Sequence, residues 1–401
     1  MRRTAWRWIA PLLIMGCAGR KADSGAEADG PGWDPNDPRF SLLGQAVVTE
    51  ESVDGNVTTH TYDPASGPAC LRGDPYRVST RDTGSRDLVI FLQGGGACWD
   101  DFCLAVTGAP AGVPAVDILN TELAENPLAD WNVTYLPYCD GSLFIGRRDH
   151  DDDGDGTPER LHRGLANLSA ALDMARAQFP NPDRVLLAGS SGGGFGVLLA
   201  PPIVRGVYPN AELSVLADSA IGVARGDVEP GFVTHLMDQW GAAELVPPSC
   251  DASCVGDGHM TGVVAENLRV DADLRMAVFT SWYDMIIGDV FLDVTPGDFA
   301  ASVAAETGAL HDAFPDRFRR FVVDGRMHTT LLGDPTGIVG TDLGAVEVPP
   351  SALDDLAGIE LGSLASTESA SGVAISPWVA AFVDGDDSVW MDVVDPAGPI
   401  P

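Results

Sequence analysis

Short apolar runs recur along the chain at spacings that leave room for helices between them. Leu88–Leu92 (LVIFL) is apolar at all five positions, and similar short runs follow at Val133–Leu136, Val185–Ala188, Leu213–Ala217, Met276–Phe279 and Phe321–Val323. A strand covered on both faces reads this way, because alternation arises only where one face meets water. Gln45–Asp63 carries two β-rich runs around Asp54-Gly55, a dipeptide suited to a tight hairpin turn. Leu161, Leu165, Leu168, Leu172 and Ala175 recur every three or four residues and predict an amphipathic helix, with His162 on it as a structural residue. A last helix is expected at Pro377–Val383, after an Ala-, Leu-, Gly- and Ser-rich stretch, 340–372, that reads as a surface segment. Strands alternating with helices predict one α/β domain whose mostly parallel central sheet is flanked by helices. Ligands of such sheets bind beyond the carboxyl ends of the strands, so the loops there are where chemistry is sought.

The first residues follow a different logic. Arg2, Arg3 and Arg7 precede a short apolar stretch, Trp8–Met15, and then Gly16-Cys17. The stretch is too short for the ~30 Å core of a bilayer, and the arrangement resembles a bacterial lipoprotein signal with Cys17 as the lipidated residue. The expected organisation is a signal at 1–16, a flexible Gly-, Ala-, Asp- and Pro-rich tether at 17–40, and a folded domain at 41–401. The protein is accordingly expected in the cell envelope, at the outer membrane or cell surface, held to the membrane only through a lipid on Cys17.

Charge narrows the partners. The chain has 24 Lys and Arg against 58 Asp and Glu, a net −34, and loss of the three signal arginines would take it to −37. Nucleic acid is excluded as a natural partner, because its binding depends on cations that displace counterions. Cys17 aside, six cysteines remain, and six allow fifteen pairings. In an exported chain an even number points to disulfides. Cys98 with Cys103, and Cys250 with Cys254, are close enough to staple local loops, which leaves Cys70 with Cys139. A four-cysteine zinc site built from the two close pairs is the alternative.

Gly189-Ser190-Ser191-Gly192-Gly193 directly follows the Val185–Ala188 strand and opens an apolar helical run. This is G-x-S-x-G at a strand-to-helix turn, the setting of a nucleophile elbow with Ser191 at its centre. The other reading of such a turn is a phosphate site at a helix N-terminus, but the Lys-Ser/Thr of a P-loop is missing. Gln93-Gly94-Gly95-Gly96 follows the first buried strand, where backbone N–H groups of Gly95 and Gly96, with that of Gly192, would serve an oxyanion. Of seven histidines, His328 lies just beyond the Phe321–Val323 strand, where the base is expected. Asp284, five residues after Phe279, is the favoured acid, with Asp218 as its competitor.

Together these residues resemble the pectin acetylesterase family, whose animal relatives include Notum-type carboxylesterases. The resembling pieces are FLQGGGACW at 91–99, Tyr138-Cys139-Asp140-Gly141, His162-Arg163-Gly164, Leu187–Gly193, Tyr283-Asp284 and His328. The resemblance implies an α/β-hydrolase fold and a serine carboxylesterase with Ser191, Asp284 and His328 as triad. It also implies Gly95, Gly96 and Gly192 as oxyanion donors, and Cys70–Cys139 and Cys98–Cys103 as disulfides. The implied substrate is an acetyl or other short-chain ester, with acetylated polysaccharide as its carrier, and no cofactor is needed for the chemistry. The chain departs from the animal lipid deacylases in having Gly96 where they carry an aromatic residue. Its strong negative charge also opposes a de-esterified pectin, itself a polyanion. A non-catalytic binding lipoprotein that keeps the scaffold is the alternative function.

Asp149, Asp151, Asp153 and Asp155 alternate around Gly154 in a pattern that suits structural Ca²⁺. No bidentate Glu stands at the twelfth position of either register, so this is no EF-hand, and a solvated acidic insertion is the other reading.

Overall fold

The computed structural model describes residues 37–226, 228–250, 254–333, 346–352, 356 and 358–401. The signal, Cys17 and most of the tether expected from the sequence lie outside them. Asp54-Gly55 turns the chain between β1 (Val48–Asp54) and β2 (Val57–Tyr62), an antiparallel pair extended by β3 (Arg77–Arg81). The LVIFL run is β4 (Asp87–Leu92), and a small hairpin follows, β5 (Gly96–Trp99) and β6 (Phe102–Val106). Next come β7 (Asn132–Leu136), a second small hairpin of β8 (Arg148–His150) and β9 (Arg160–His162), and helix α1 (Gly164–Gln178). Strand β10 (Arg184–Ser190) feeds α2 (Gly192–Leu199) and α3 (Pro201–Val207), and β11 (Glu212–Asp218) precedes α4 (Phe232–Trp240) and α5 (Thr261–Val270). After β12 (Arg275–Ser281) come α6 (Pro296–Ala313), β13 (Phe318–Val323), β14 (Val346–Glu347), α7 (Ile375–Asp384) and β15 (Val393–Val394).

Ten of these strands form one sheet in the order β1-β2-β3-β7-β4-β10-β11-β12-β13-β15. From β7 to β15 every neighbouring pair is parallel, and the antiparallel part is confined to the β1–β3 edge and its junction with β7. All six apolar runs are strands of this sheet, as expected. Their lack of alternation has a direct cause. Leu88, Ile90 and Leu92 face a core shared with α1, α2, α5 and α6, whereas Val89 and Phe91 face a second core with Trp378 and Phe382 of α7. Both faces of β4 are therefore dry.

Two sequence expectations need correction. Leu161 and His162 belong to β9, not to the helix, which starts at Gly164. Leu161 N–H donates to Leu71 O at 2.8 Å and pairs opposite Asp149, so the hairpin claims it although its spacing from Leu165 is helical. The described part of 340–372 is also more than a surface segment. Val346 pairs with Val106, Leu364 and Thr367 are buried, and Leu356 and Ile359 wall a cavity at the strand ends.

Cys70–Cys139, Cys98–Cys103 and Cys250–Cys254 are all disulfides. Their sulfurs are thereby used, which overturns the zinc alternative. Among the described residues no helix is long and apolar enough to cross a membrane. Cys70–Cys139 spans 69 residues and closes the loop before β3 onto the end of β7. Replacing both cysteines by alanine should lower the unfolding free energy in urea by about 2–5 kcal/mol; a double variant within about 0.5 kcal/mol of the parent would contradict this role.

Candidate active site

Parallel strands β10, β12 and β13 end on the same edge of the sheet, and the loops after them hold Ser191, Asp284 and His328. Ser191 stands between β10 and α2 with φ +52° and ψ −123°. A serine held at positive φ is strained, and such strain persists only where its surroundings fix it. Here Ser191 N–H donates to Asp218 O at 2.8 Å, while Ser191 O accepts from Phe195 N–H at 3.0 Å. The elbow also needs small neighbours. A Cβ on Gly192 would lie 2.8 Å from Gly96 O, and Gly96 itself has φ +88°. The start of α2 and the start of β5 thus meet glycine against glycine beside Ser191. Gly95 packs against the Tyr138 ring on its other side, so the loop after β4 is held from behind.

His328 Nδ1 lies 3.0 Å from both carboxylate oxygens of Asp284, and both side chains are buried. Facing a carboxylate, Nδ1 carries the proton and donates, which leaves the Nε2 lone pair free for a substrate-side role. Asp284 Oδ1 also accepts from the N–H groups of Ile286 and Ile287 at 3.1 Å, where a π-helical turn, Ile286–Phe291, begins. The two loops are further knit by Ser281 Oγ donating to Met327 O at 2.7 Å and by Tyr283 N–H donating to Gly325 O. Ser191, His328, Gly95 and Gly96 line one cavity of about 330 Å³.

Asp218 is committed elsewhere. Its carboxylate accepts from Ser190 Oγ at 2.6 Å and from the N–H groups of Thr330 at 2.9 Å and Leu331 at 3.0 Å. Next to it, Ser219 Oγ accepts from Thr329 N–H at 2.7 Å. Asp218 therefore fastens the residue before Ser191 to the residues after His328. Its position at a strand end was legible in the sequence; its partners were not, because none of their spacings is local. The remaining histidines are engaged away from this pair: His311 Nδ1 with Phe318 O, His235 with Asp100, His259 with Ala224 N–H, His150 with Gln239 O and His60 with Glu51. His162 Nδ1 is bonded to Asp140 O at 3.0 Å in the core, as a structural residue.

Around the acidic loop, Asp149 is drawn off into an ion pair with Arg163 at 2.7 Å. Asp151, Asp153 and Asp155 are joined instead by Glu159, with ligand oxygens within 4.8 Å of one another. Glu159 was missed because the hairpin, and no periodic motif, returns it to the loop. Nearby, Arg147 is paired with Glu244.

A parallel sheet carrying a strained serine after one strand and a buried Asp–His pair after two others defines the class as α/β-hydrolase-like. Within that class the chain is similar to the pectinacetylesterases and the Notum-type carboxylesterases. The family model described as Pectinacetylesterase matches residues 49–230. Pectin acetylesterase 11 of Arabidopsis thaliana is 25% identical over 263 residues, covering 60% of this chain and 66% of the relative. Palmitoleoyl-protein carboxylesterase notum1' of Xenopus laevis is 27% identical over 176 residues, covering 37% and 34%. Palmitoleoyl-protein carboxylesterase NOTUM of Mus musculus is 26% identical over 170 residues, covering 37% and 33%. The chain thus spans just under two thirds of the plant relative and about a third of the animal ones.

Burial raises the Asp218 carboxyl to about 6, against three hydrogen bonds that favour its charged form. A folded-state value above the unfolded one means that the folded chain binds the extra proton, so Asp218 costs stability as pH rises from about 4 to about 6. Asp140, raised to about 6 by burial, acts in the same direction, and His162, lowered to about 4 by burial, acts in the opposite one. Comparing the parent with Asp218→Asn in urea unfolding across that window isolates the Asp218 part. The variant's stability should fall less, or rise more, with pH than the parent's; parallel profiles would contradict the buried, raised carboxyl.

Proposed function

We propose that the protein is a serine carboxylesterase acting on short-chain acyl esters. The observation that carries this reading is the buried Asp284–His328 pair opening into the cavity that holds the strained Ser191. In the reading, the Ser191 hydroxyl attacks the ester carbonyl carbon and forms the new C–O bond as its proton passes to His328 Nε2. Asp284 keeps the imidazole in the required tautomer and balances its charge once protonated. The carbonyl oxygen gains the negative charge, and the N–H groups of Gly192, Gly95 and Gly96 are its assigned donors. Collapse breaks the bond to the alcohol oxygen, which leaves with the proton from His328. Water then repeats the sequence on the acyl-enzyme, with His328 as base, to release the acid and free Ser191.

Acetyl is the favoured acyl group, in line with the acetylesterase named among the relatives. Acetylated polysaccharide is the carrier that name suggests; the net charge of −34 disfavours a polyuronate. The three disulfides support an exported protein, and a lipid anchor on Cys17 is the proposed attachment to the cell envelope. Initial rates on p-nitrophenyl esters from acetyl to long chains should peak at short chains. Ser191→Ala should lose at least about 10⁴-fold in kcat, and Asp284→Asn a similar factor. Activity unchanged in Ser191→Ala, or none on any chain length, would favour the binding-protein alternative.

A separate proposal concerns the acidic loop. Asp151, Asp153, Asp155 and Glu159 offer the oxygen donors that Ca²⁺ selects, with a structural and not a chemical role. Added Ca²⁺ should raise the melting temperature of the parent but not of Asp153→Asn with Glu159→Gln. Absence of both a calorimetric heat and a melting shift in the parent would remove it.

A further inference from the structure

Two cavities meet at Ser191. The smaller, about 60 Å³, is bordered by Gly96, Ser191 and Gly192 and by apolar side chains such as Phe195 and Phe232. The larger, about 330 Å³, is bordered by Gly95, Gly96, Ser191 and His328. Among the described residues, Gly96, Ser191 and Phe291 border both. Gly96 has no side chain and Ser191 is the candidate nucleophile. Of these three it is therefore the Phe291 ring that can stand as a wall between the two spaces.

The backbone explains how one side chain reaches both. Phe291 ends the π-helical turn Ile286–Phe291, whose wider winding brings residues five apart above one another. Leu292 N–H accordingly donates to Ile287 O at 2.9 Å. Ile287 and Leu292 border the smaller cavity, and Ile286 borders the larger. The turn thus gives one flank to each space, with Phe291 at the seam. Its ring meets Phe102 edge-on at 5.8 Å and lies 6.4 Å from Trp99, both on the β5–β6 hairpin that Cys98–Cys103 closes. The other end of the turn supplies the two N–H groups that hold Asp284. The partition is therefore built on the same turn as the acid of the candidate triad.

Its consequence follows from the esterase reading, on which this inference rests. The bond that breaks joins the carbonyl carbon to the alcohol oxygen, and that oxygen takes its proton from the imidazolium. The alcohol half therefore takes the larger space, which His328 borders, and the acyl half takes the other space that opens on Ser191. A cavity of about 150 Å³ holds a benzene molecule, so about 60 Å³ holds only a few heavy atoms. An acetyl methyl fits there, whereas a long chain would have to continue through the volume of the Phe291 ring. We infer that Phe291 is the specificity-determining residue for acyl length. It closes the acyl side behind a short group and leaves the larger space to the carrier of the ester.

The test is the ratio of kcat/KM for p-nitrophenyl octanoate to that for p-nitrophenyl acetate, measured on the purified parent, Phe291→Leu and Phe291→Ala. Both esters have the same alcohol half, so the ratio reads the acyl side. Without the ring the two spaces join, and each further methylene that leaves water adds to binding of the longer chain. The ratio should rise at least about tenfold in Phe291→Ala, with a smaller rise in Phe291→Leu. A ratio unchanged in both variants overturns the inference and leaves the esterase reading standing. A parent that already hydrolyses the octanoate with a kcat/KM equal to that for the acetate does the same. If Phe291→Ala loses its fold, both its rates fall together, and Phe291→Leu decides: a raised ratio supports the partition and an unchanged one overturns it. A parent inactive on both esters, with Ser191 still modified by a fluorophosphonate, also overturns the inference alone. Inactivity on both together with no fluorophosphonate modification removes the esterase reading itself.

Discussion

Ser191 sits at positive φ, and everything around it serves to keep it there. A serine does not hold that backbone conformation on its own, so the elbow depends on the Asp218 fastening. The main-chain oxygen of Asp218 takes the Ser191 N–H, and its carboxylate takes Ser190 Oγ together with the N–H groups of Thr330 and Leu331. One buried residue at the end of β11 thereby sets the Ser191 turn and the His328 loop relative to each other. Asp284 does the equivalent for the imidazole, using two backbone N–H groups to hold its carboxylate and two oxygens to meet Nδ1.

These fastenings work because the sheet beneath them is rigid. Strands buried on both faces have little freedom to shift, since a one-residue slip would exchange the Leu88–Ile90–Leu92 face with the Val89–Phe91 face between two separate cores. The carboxyl ends of β10, β11, β12 and β13 are consequently fixed as a row, and loops attached to them inherit that precision. The disulfides act at the periphery. Cys98–Cys103 closes the hairpin just after Gly96, and Cys70–Cys139 anchors the end of β7 behind the glycine loop.

Much of this arrangement was legible in the residues. The six apolar runs became parallel strands because doubly buried strands need no polar face, and the glycine pattern around Ser191 marked a turn where two backbones approach closely. Asp284 was favoured over Asp218 for its place after the Met276–Phe279 strand; its carboxylate lies 3.0 Å from His328 Nδ1, while that of Asp218 is taken by Ser190, Thr330 and Leu331. What escaped was set by long-range pairing. Leu161 reads as helix by spacing, yet it is held by Leu71, ninety residues earlier in the chain. The cavity wall at Val346 and Ile359 comes from a stretch whose composition suggested only surface, and its role depends on packing against β6 and the π-helical turn. Glu159 joins the acidic loop only because a hairpin folds it back.

The account stands on Ser191 as a nucleophile that becomes acylated. Rapid mixing with p-nitrophenyl acetate, acid quenching and peptide mass mapping reads that event directly. The account predicts a single acetyl group on the peptide that contains Ser191, formed together with the first equivalent of p-nitrophenol and absent from Ser191→Ala. Acetylation at another residue, or nitrophenol release that persists in Ser191→Ala, would contradict it.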